Sequence, residues 1–332
     1  MSHLCSRPWR VLSALRIGNA GARRYGSQLQ HIPTCPSPTC PCAPTPQDLD
    51  IDRKTPLLHT MAAYTEQLFI CTGRNDWTSR VEDEPSSAGD FVRGVKGIIG
   101  RGGKAFDPFN NVMTTLSSLP ASSNPATTTA LLFPSFVRIP DIPHTPSAFD
   151  ALATAYLKTR HLHPAHNALS DAQKTVLKRD ESLASQLPAA VPIDTVTVLI
   201  CGHGSRDSRC GILGPILEKQ FKETFKRKGV EAEVGMISHI GGHKYAGNVI
   251  IYIPPTLSQN ELKGTGVWYG RVDPEKVEGV VDETIGKGRI IVDLFRGGIT
   301  QDGGNLARML EEQLKKERGE TETLRLRPKP RT

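Results

Sequence analysis

Two cysteines and two histidines carry the densest chemistry in this chain. Cys201 and Cys210 stand in "ICGHGSRDSRCGILG" with eight residues between them, and His239 and His243 stand in "SHIGGHKYAGN" with three between them. Each pair follows a short apolar run, so both emerge at strand ends, the edge where α/β proteins place their sites. Thiolate sulfur and imidazole nitrogen are the donors that zinc, copper and iron–sulfur centres draw on. Gly241 and Gly242 disfavour a helix between the histidines. With Gly202, Gly204 and Gly211 they let backbone approach a bulky group. A structural zinc site sets its cysteines about two to four residues apart. The wider gap here suits a larger object such as a 2Fe–2S cluster. Two other readings stay open: buried cysteines with ordinary, satisfied histidines, and a reactive thiol. For the latter no Cys-x-x-Cys is present, and Asp207 occupies the place where a phosphatase-type thiol loop needs an arginine.

The neighbours of these four residues have expected roles of their own. His203 is placed as a hydrogen-bond donor to a sulfide or thiolate rather than as a ligand. Arg206 and Asp207 read as an ion pair bracing the loop, and Trp268 and Tyr269 as packing beneath it. Cys35, Cys40 and Cys42, in "PTCPSPTCPCAPTP", are candidate redox thiols. His161, His163 and His166 in "HLHPAH" read as an exposed turn. Cys71 has no second cysteine or paired histidines beside it, so the first unit is expected to hold no cluster.

Elements that could position these residues follow from periodicity. "TVTVLI", "EAEVGMI", "NVIIYI" and "RIIVDLF" read as strands. "GPILEKQFKETFKRKG" reads as a helix with Ile216, Leu217, Phe221 and Phe225 on one face and Gly229 as its terminator. Asp273–Pro274 opens another helix, ending at Gly286. Upstream, "YTEQLFIC" and "LLFPSFVRI" read as strands and "ASSNPATTTA" as a loop, while Ser170 and Gln173 form a capping-box pair. "LFICTGRNDW" echoes "LICGHGSRD", which suggests one strand–loop–helix plan used twice. The expectation is an α/β chain: a transit peptide at 1–26, a Pro/Cys-rich segment at 27–60, an N-terminal α/β unit at 61–146, a helical connector at 147–190, a C-terminal α/β domain at 191–300 and a helix with a basic tail at 301–332.

Composition narrows the function classes. At 332 residues and 38% hydrophobic content the chain is long enough to bury a real core. The net charge of +7 is concentrated at the ends. Residues 1–47 hold five arginines (Arg7, Arg10, Arg16, Arg23, Arg24) and no Asp or Glu, so the body is close to neutral and a nucleic-acid partner is not expected. An acid-free, Arg-bearing, amphipathic N-terminus is what a mitochondrial presequence requires. The expected destination is the mitochondrion, the matrix ahead of the intermembrane space. No apolar run has the length of a membrane-spanning helix.

"CGHGSRDSRCGILGP", "SHIGGHKYAGNVIIY" and "GVWYGRVDPE" together resemble the sucrase/ferredoxin-like family, the thioredoxin-like ferredoxins, and "LFICTGRNDW" with the presequence points to a mitochondrial branch of it. The resemblance spans roughly residues 35–300. It implies a thioredoxin-like C-terminal domain, a 2Fe–2S cluster on Cys201, Cys210, His239 and His243, and a part in mitochondrial thiol redox balance. Such a centre, with two thiolates and two neutral imidazoles, carries no net charge when oxidised, whereas four thiolates would make it a dianion. Histidine ligation raises the potential for that reason, to about −150 to +300 mV in Rieske centres against about −400 mV in plant-type ferredoxins. The expected role is an electron carrier or redox sensor between a donor and an acceptor protein, rather than a catalyst with its own substrate. The alternatives are a thiol oxidoreductase working through the N-terminal cysteines and a zinc-stabilised interaction module.

Overall fold

The computed structural model describes residues 28–39 and 41–320; the expected presequence and Cys40 lie outside the described residues. The chain enters as an irregular strap whose one strand, β1 (His31–Ile32), runs parallel to β11 (Ile290–Ile291) far along the chain. Proline-rich sequence cannot supply a ladder, yet the strap is docked, with Leu29 and Leu57 buried in its path.

The first half begins with β2 (Glu66–Cys71), buried along its whole length. The helix α1 (Ser87–Ile99) presses Phe91, Val92 and Val95 onto the sheet and leads to β3 (Val112–Ser117), parallel to β2. β4 (Thr127–Phe133) then pairs antiparallel on the other side of β2, and β5 (Val137–Pro143) pairs with β4. "LLFPSFVRI" is thus a hairpin rather than one strand. Pro134 has no N–H for a ladder, and Phe136 turns the chain at φ +54°. The threonines expected in a loop, Thr127, Thr128 and Thr129, instead begin β4, where β-branched side chains fit a pleated sheet and Thr128 and Thr129 are buried. A helical stretch follows: α2 (Pro146–Leu152) capped by Thr145, then α3 (Asp171–Leu177) with the Ser170/Gln173 capping box in place.

The short edge strand β6 (Val191–Pro192) precedes the second half, which repeats the plan. β7 (Val196–Cys201), all six residues buried, is followed by α4 (Ser208–Lys228) and the parallel strand β8 (Ala232–Ile237). β9 (Val249–Ile253) pairs antiparallel with β7, and β10 (Thr265–Tyr269) with β9. A short helix, α5 (Val277–Val280), and its continuation reach Gly286. "RIIVDLF" divides into β11, a tight helical turn at Val292–Leu294 and β12 (Phe295–Thr300), after which α6 (Leu306–Glu317) closes the chain.

These strands form one sheet in the order β12-β10-β9-β7-β8-β3-β2-β4-β5-β6. Counted outward from the β8–β3 seam, each half has a parallel pair and then three antiparallel strands, with a helix crossing between the parallel partners. That plan is the one expected of the C-terminal domain, and the N-terminal half shares it, which gives the sequence echo a structural counterpart. The seam is narrow: Ser117 pairs with Ile237, and the Ser118 and Ser238 hydroxyls accept from Met236 and Leu116 N–H groups. The halves then close face to face. Tyr252 of β9 stacks on Phe133 of β4 at 3.8 Å between ring centroids. In that shared core Trp268 donates to Tyr64 Oη, which meets Tyr252 Oη at 2.9 Å. Burial of each such ring contributes roughly 1.5–3 kcal/mol, and every polar tip has a partner.

Candidate metal centre

The site is assembled where β7 ends. Cys201 is the last residue of that strand and Cys210 lies in the first turn of α4, and both are buried. This corrects the expectation that Cys210 stands in the loop and that the helix starts at Gly214. The Asp207 carboxylate accepts from Arg209 N and caps the helix there, so helical geometry begins at Ser208 rather than Gly214. The loop can approach the helix this closely because Gly211 faces Gly204; a Cβ on Gly211 would stand 2.5 Å from the Gly204 Cα.

The histidine loop follows β8. His239 and His243 are half-buried, with ring centroids 5.4 Å apart. The Cys201 sulfur is in hydrogen-bonding contact with Cys210 and with the His239 ring. His243 Nε2 comes within 4.0 Å of Asp207, the cap of the cysteine helix. All four sequence-predicted donors are therefore brought to one edge. The hydrogen bond from Cys210 holds the Cys201 thiol well below its ordinary range, against the effect of burial, with His239 assisting. The same bond, with burial, pushes Cys210 up.

His239 Nδ1 and His243 Nδ1 are buried and have no hydrogen-bond partner. Native proteins rarely leave buried polar atoms unpaired. Two orphaned imidazole nitrogens beside two buried sulfurs make a mixed sulfur–nitrogen donor set, and that fits a group held by two cysteines and two histidines. Among the described residues no group of three or more His, Cys, Asp or Glu side chains is arranged to hold a single metal ion. The donors come as pairs.

The residues around them depart from several expectations. The His203 ring is turned away from sulfur, on which only its backbone N–H acts: its Nδ1 accepts from His239 N–H at 3.0 Å, and its Nε2 lies 3.0 Å from the Trp77 and Thr78 carbonyls. It ties the histidine loop to the first half of the chain. Asp207 pairs with Arg209 at 2.9 Å, not with Arg206, whose guanidinium reaches Ser79 Oγ at 3.4 Å. The first unit also shapes the site, through Asp76, which accepts from Ser205 Oγ at 2.7 Å, and through Trp77 against the His203 ring. Gly241 and Gly242 adopt φ of +84° and +74°, open to glycine without strain. Trp268 and Tyr269 are fully buried packing.

Residues 57–297 match the family described as sucrase/ferredoxin-like. The chain belongs to that family. Among its relatives is "Altered inheritance of mitochondria protein 32" of Debaryomyces hansenii, 32% identical over 294 residues that cover 84% of this chain and 99% of the relative. The Meyerozyma guilliermondii protein of the same name is 52% identical over 102 residues, 30% of this chain and 33% of the relative. The one from Candida glabrata is 28% identical over 238 residues, 68% and 72% of the two chains. No solved structure matches.

Within this sucrase/ferredoxin-like chain, sequence reasoning missed one residue of the site. Arg296, in β12, is 1% exposed. Its Nη1 donates to Gly241 O at 3.1 Å and Asn248 Oδ1 at 2.6 Å, its Nη2 to Thr60 O at 2.7 Å, and its Nε to Thr60 Oγ1 at 3.1 Å. Burial pulls the guanidinium down to about 10, which leaves it a cation at neutral pH, and the neighbouring Cys201 works in the opposite direction. The only signal was an arginine among apolar residues in "VDLFRGG". Of the candidate redox thiols, Cys35 lies elsewhere. Cys35 packs against α5 and donates to Lys276 O at 3.5 Å, and burial pushes its thiol up to about 12.

Proposed function

We propose that Cys201, Cys210, His239 and His243 hold a 2Fe–2S cluster and that the protein carries single electrons in mitochondria. The observation that carries this reading is the pairing of two buried sulfurs with two imidazoles whose Nδ1 atoms have no partner. Zinc needs four donors about one point, whereas two irons divide four protein ligands between them. Donors that come as pairs favour the second. When bound, the cluster supplies one-electron redox chemistry at a potential raised by its histidines.

The chain's own residues do the rest. Both cysteines exclude water from the sulfur side, while the half-exposed histidines form the face open to a partner. A cavity of about 230 Å³ beside that face is lined by Arg80, Arg206, His203, His239 and the paired Lys96 and Glu82, among others. Each histidine keeps a second ring nitrogen for a proton, which couples electron uptake to pH. The relatives named for altered inheritance of mitochondria, with the acid-free N-terminus, support a mitochondrial location with the matrix favoured. The family resemblance supports a part in thiol redox balance. The raised Cys35 thiol speaks against a thiol oxidoreductase built on that cysteine.

Absorption and electron-spin-resonance spectra of anaerobically purified protein, with iron and sulfide analysis, test the proposal. Equal iron and sulfide with a reducible visible chromophore are expected. Colourless protein carrying zinc and no sulfide would overturn it. His239→Cys is expected to keep the cluster, lower its potential and flatten its pH dependence; an unchanged potential would remove His239 from the ligand set.

A further inference from the structure

We infer that Arg296 is the fixed counter-charge of the two-cysteine, two-histidine centre, fastening the histidine loop and raising the centre's affinity for an electron. The inference rests on the cluster reading proposed above and assigns the residue that tunes it. Among the described residues no carboxylate pairs with Arg296, and its hydrogen bonds to Thr60, Gly241 and Asn248 all end on neutral oxygens. A buried ion without a counter-ion costs several kcal/mol; the Tyr245 and Trp268 rings, 5.6 and 5.9 Å from the guanidinium, offset part of that, and the electron that reduction adds to the neutral oxidised centre would supply the counter-charge. Among the groups at the centre, the Cys201 thiolate works most strongly against the effect of burial on Arg296.

The geometry also makes Arg296 a positioning residue. One fork of the guanidinium holds Gly241 O in the histidine loop and Asn248 Oδ1. Asn248 returns a hydrogen bond from Nδ2 to Gly242 O at 3.0 Å, and its own carbonyl accepts from Cys201 N at 2.9 Å. A single cation thereby links both ligand loops. Gly242 lacks a side chain for the same reason: a Cβ there would lie 2.5 Å from Arg296 Nη2. Lysine has no planar fork with which to hold two acceptors at once.

Reduction adds one electron from an external reductant and makes the centre one unit more negative, with no bond formed or broken. A fixed cation stabilises that form more than the oxidised one. The test is a dithionite-based potentiometric titration of the full-length, anaerobically purified protein, followed by its visible absorbance. Arg296→Gln removes the charge, and Asn248→Asp neutralises it in place. Both are expected to shift the reduced-to-oxidised ratio at least tenfold toward oxidised at fixed ambient potential, which for one electron is about 59 mV lower. Arg296→Lys is expected to stay within that margin while losing its cluster faster on dilution. Arg296→Gln holding a cluster at the wild-type potential would overturn the inference. If that variant does not fold, Asn248→Asp decides by the same criterion. Wild-type protein without iron and sulfide would instead overturn the cluster reading, and this inference with it.

Discussion

Burial acts on identical thiols in opposite ways here. Cys35 and Cys71 are both pushed up to about 12 by loss of solvent, whereas Cys201 moves down because Cys210 and His239 stabilise its thiolate. Since the thiolate is the nucleophile, Cys35 is expected to react with iodoacetamide at pH 8 about a thousandfold more slowly in folded protein than in urea. Equal rates, read by peptide mass spectrometry, would restore it as a redox thiol. His203→Ala strands the His239 amide and the Trp77 and Thr78 carbonyls together, so a loss of about 1–3 kcal/mol is expected in urea unfolding of the metal-free protein. A change under about 0.5 kcal/mol would mean that His203 does not tie the two halves. The four donors were legible because their types, glycines and strand-end positions coincide within short stretches. Arg296 was not, because its partners are Thr60, Gly241 and Asn248, all distant in sequence. The Arg206–Asp207 pairing misled for a related reason: adjacency says nothing about which neighbour a helix cap will face.

At the scale of elements, periodicity located β2, β7, β8, β9 and the body of α4, but it merged β4 with β5, left β3 and β10 unassigned, ended the last strand where β12 begins and misplaced the start of α4. Glycines and a proline at position 215 argue against helix locally, and the Asp207 cap with the close packing at Gly204 outweighs them. β10 was missed because "TGVWY" has no alternation: it is buried on both faces, where a strand reads as a short apolar run. The close approach of α4 to the loop supports a pair of opposite predictions. Gly211→Ala would place its Cβ 2.5 Å from the Gly204 Cα, so the helix must shift, at a cost of about 1–3 kcal/mol. The shift also moves Cys210 away from Cys201 and should lower iron content. Gly97 sits exposed inside α1 with nothing within 4 Å of its added Cβ, and Gly97→Ala should stabilise by about 0.5–1 kcal/mol with iron unchanged. Thermal unfolding and iron assay of both variants check this. Equal effects would mean that the glycine contact does not set the helix position.

Across the whole molecule, the two halves of the sheet and the N-terminal strap converge on the histidine loop. Composition showed that the strap lacks periodicity; it could not show that an irregular segment docks, because its contacts run to residues some two hundred positions away. Asp52 is the fastening. Its N–H donates to Lys244 O at 2.8 Å, its carboxylate meets Lys244 Nζ at 3.1 Å, and Arg271 holds the Asp52 and Thr55 carbonyls. Hydrogen bonds from Thr55, followed by Lys244, hold the Asp52 carboxyl well below its ordinary value of 3.8. A carboxyl depressed in the folded state stabilises it while ionised. That contribution is fully present above the unfolded value and is lost as pH falls from about 4 through the folded value. The strap should therefore release in acid before the buried halves separate. Hydrogen-exchange protection over residues 51–57 is expected to be high at pH 6 and reduced at pH 3, while β7 and β9 stay protected at both. Asp52→Asn should show the reduced protection at either pH, since it keeps the backbone contacts but removes the charge that Lys244 faces. A strap in the wild-type protein as protected at pH 3 as at pH 6 would mean that backbone and apolar contacts hold it without the carboxylate.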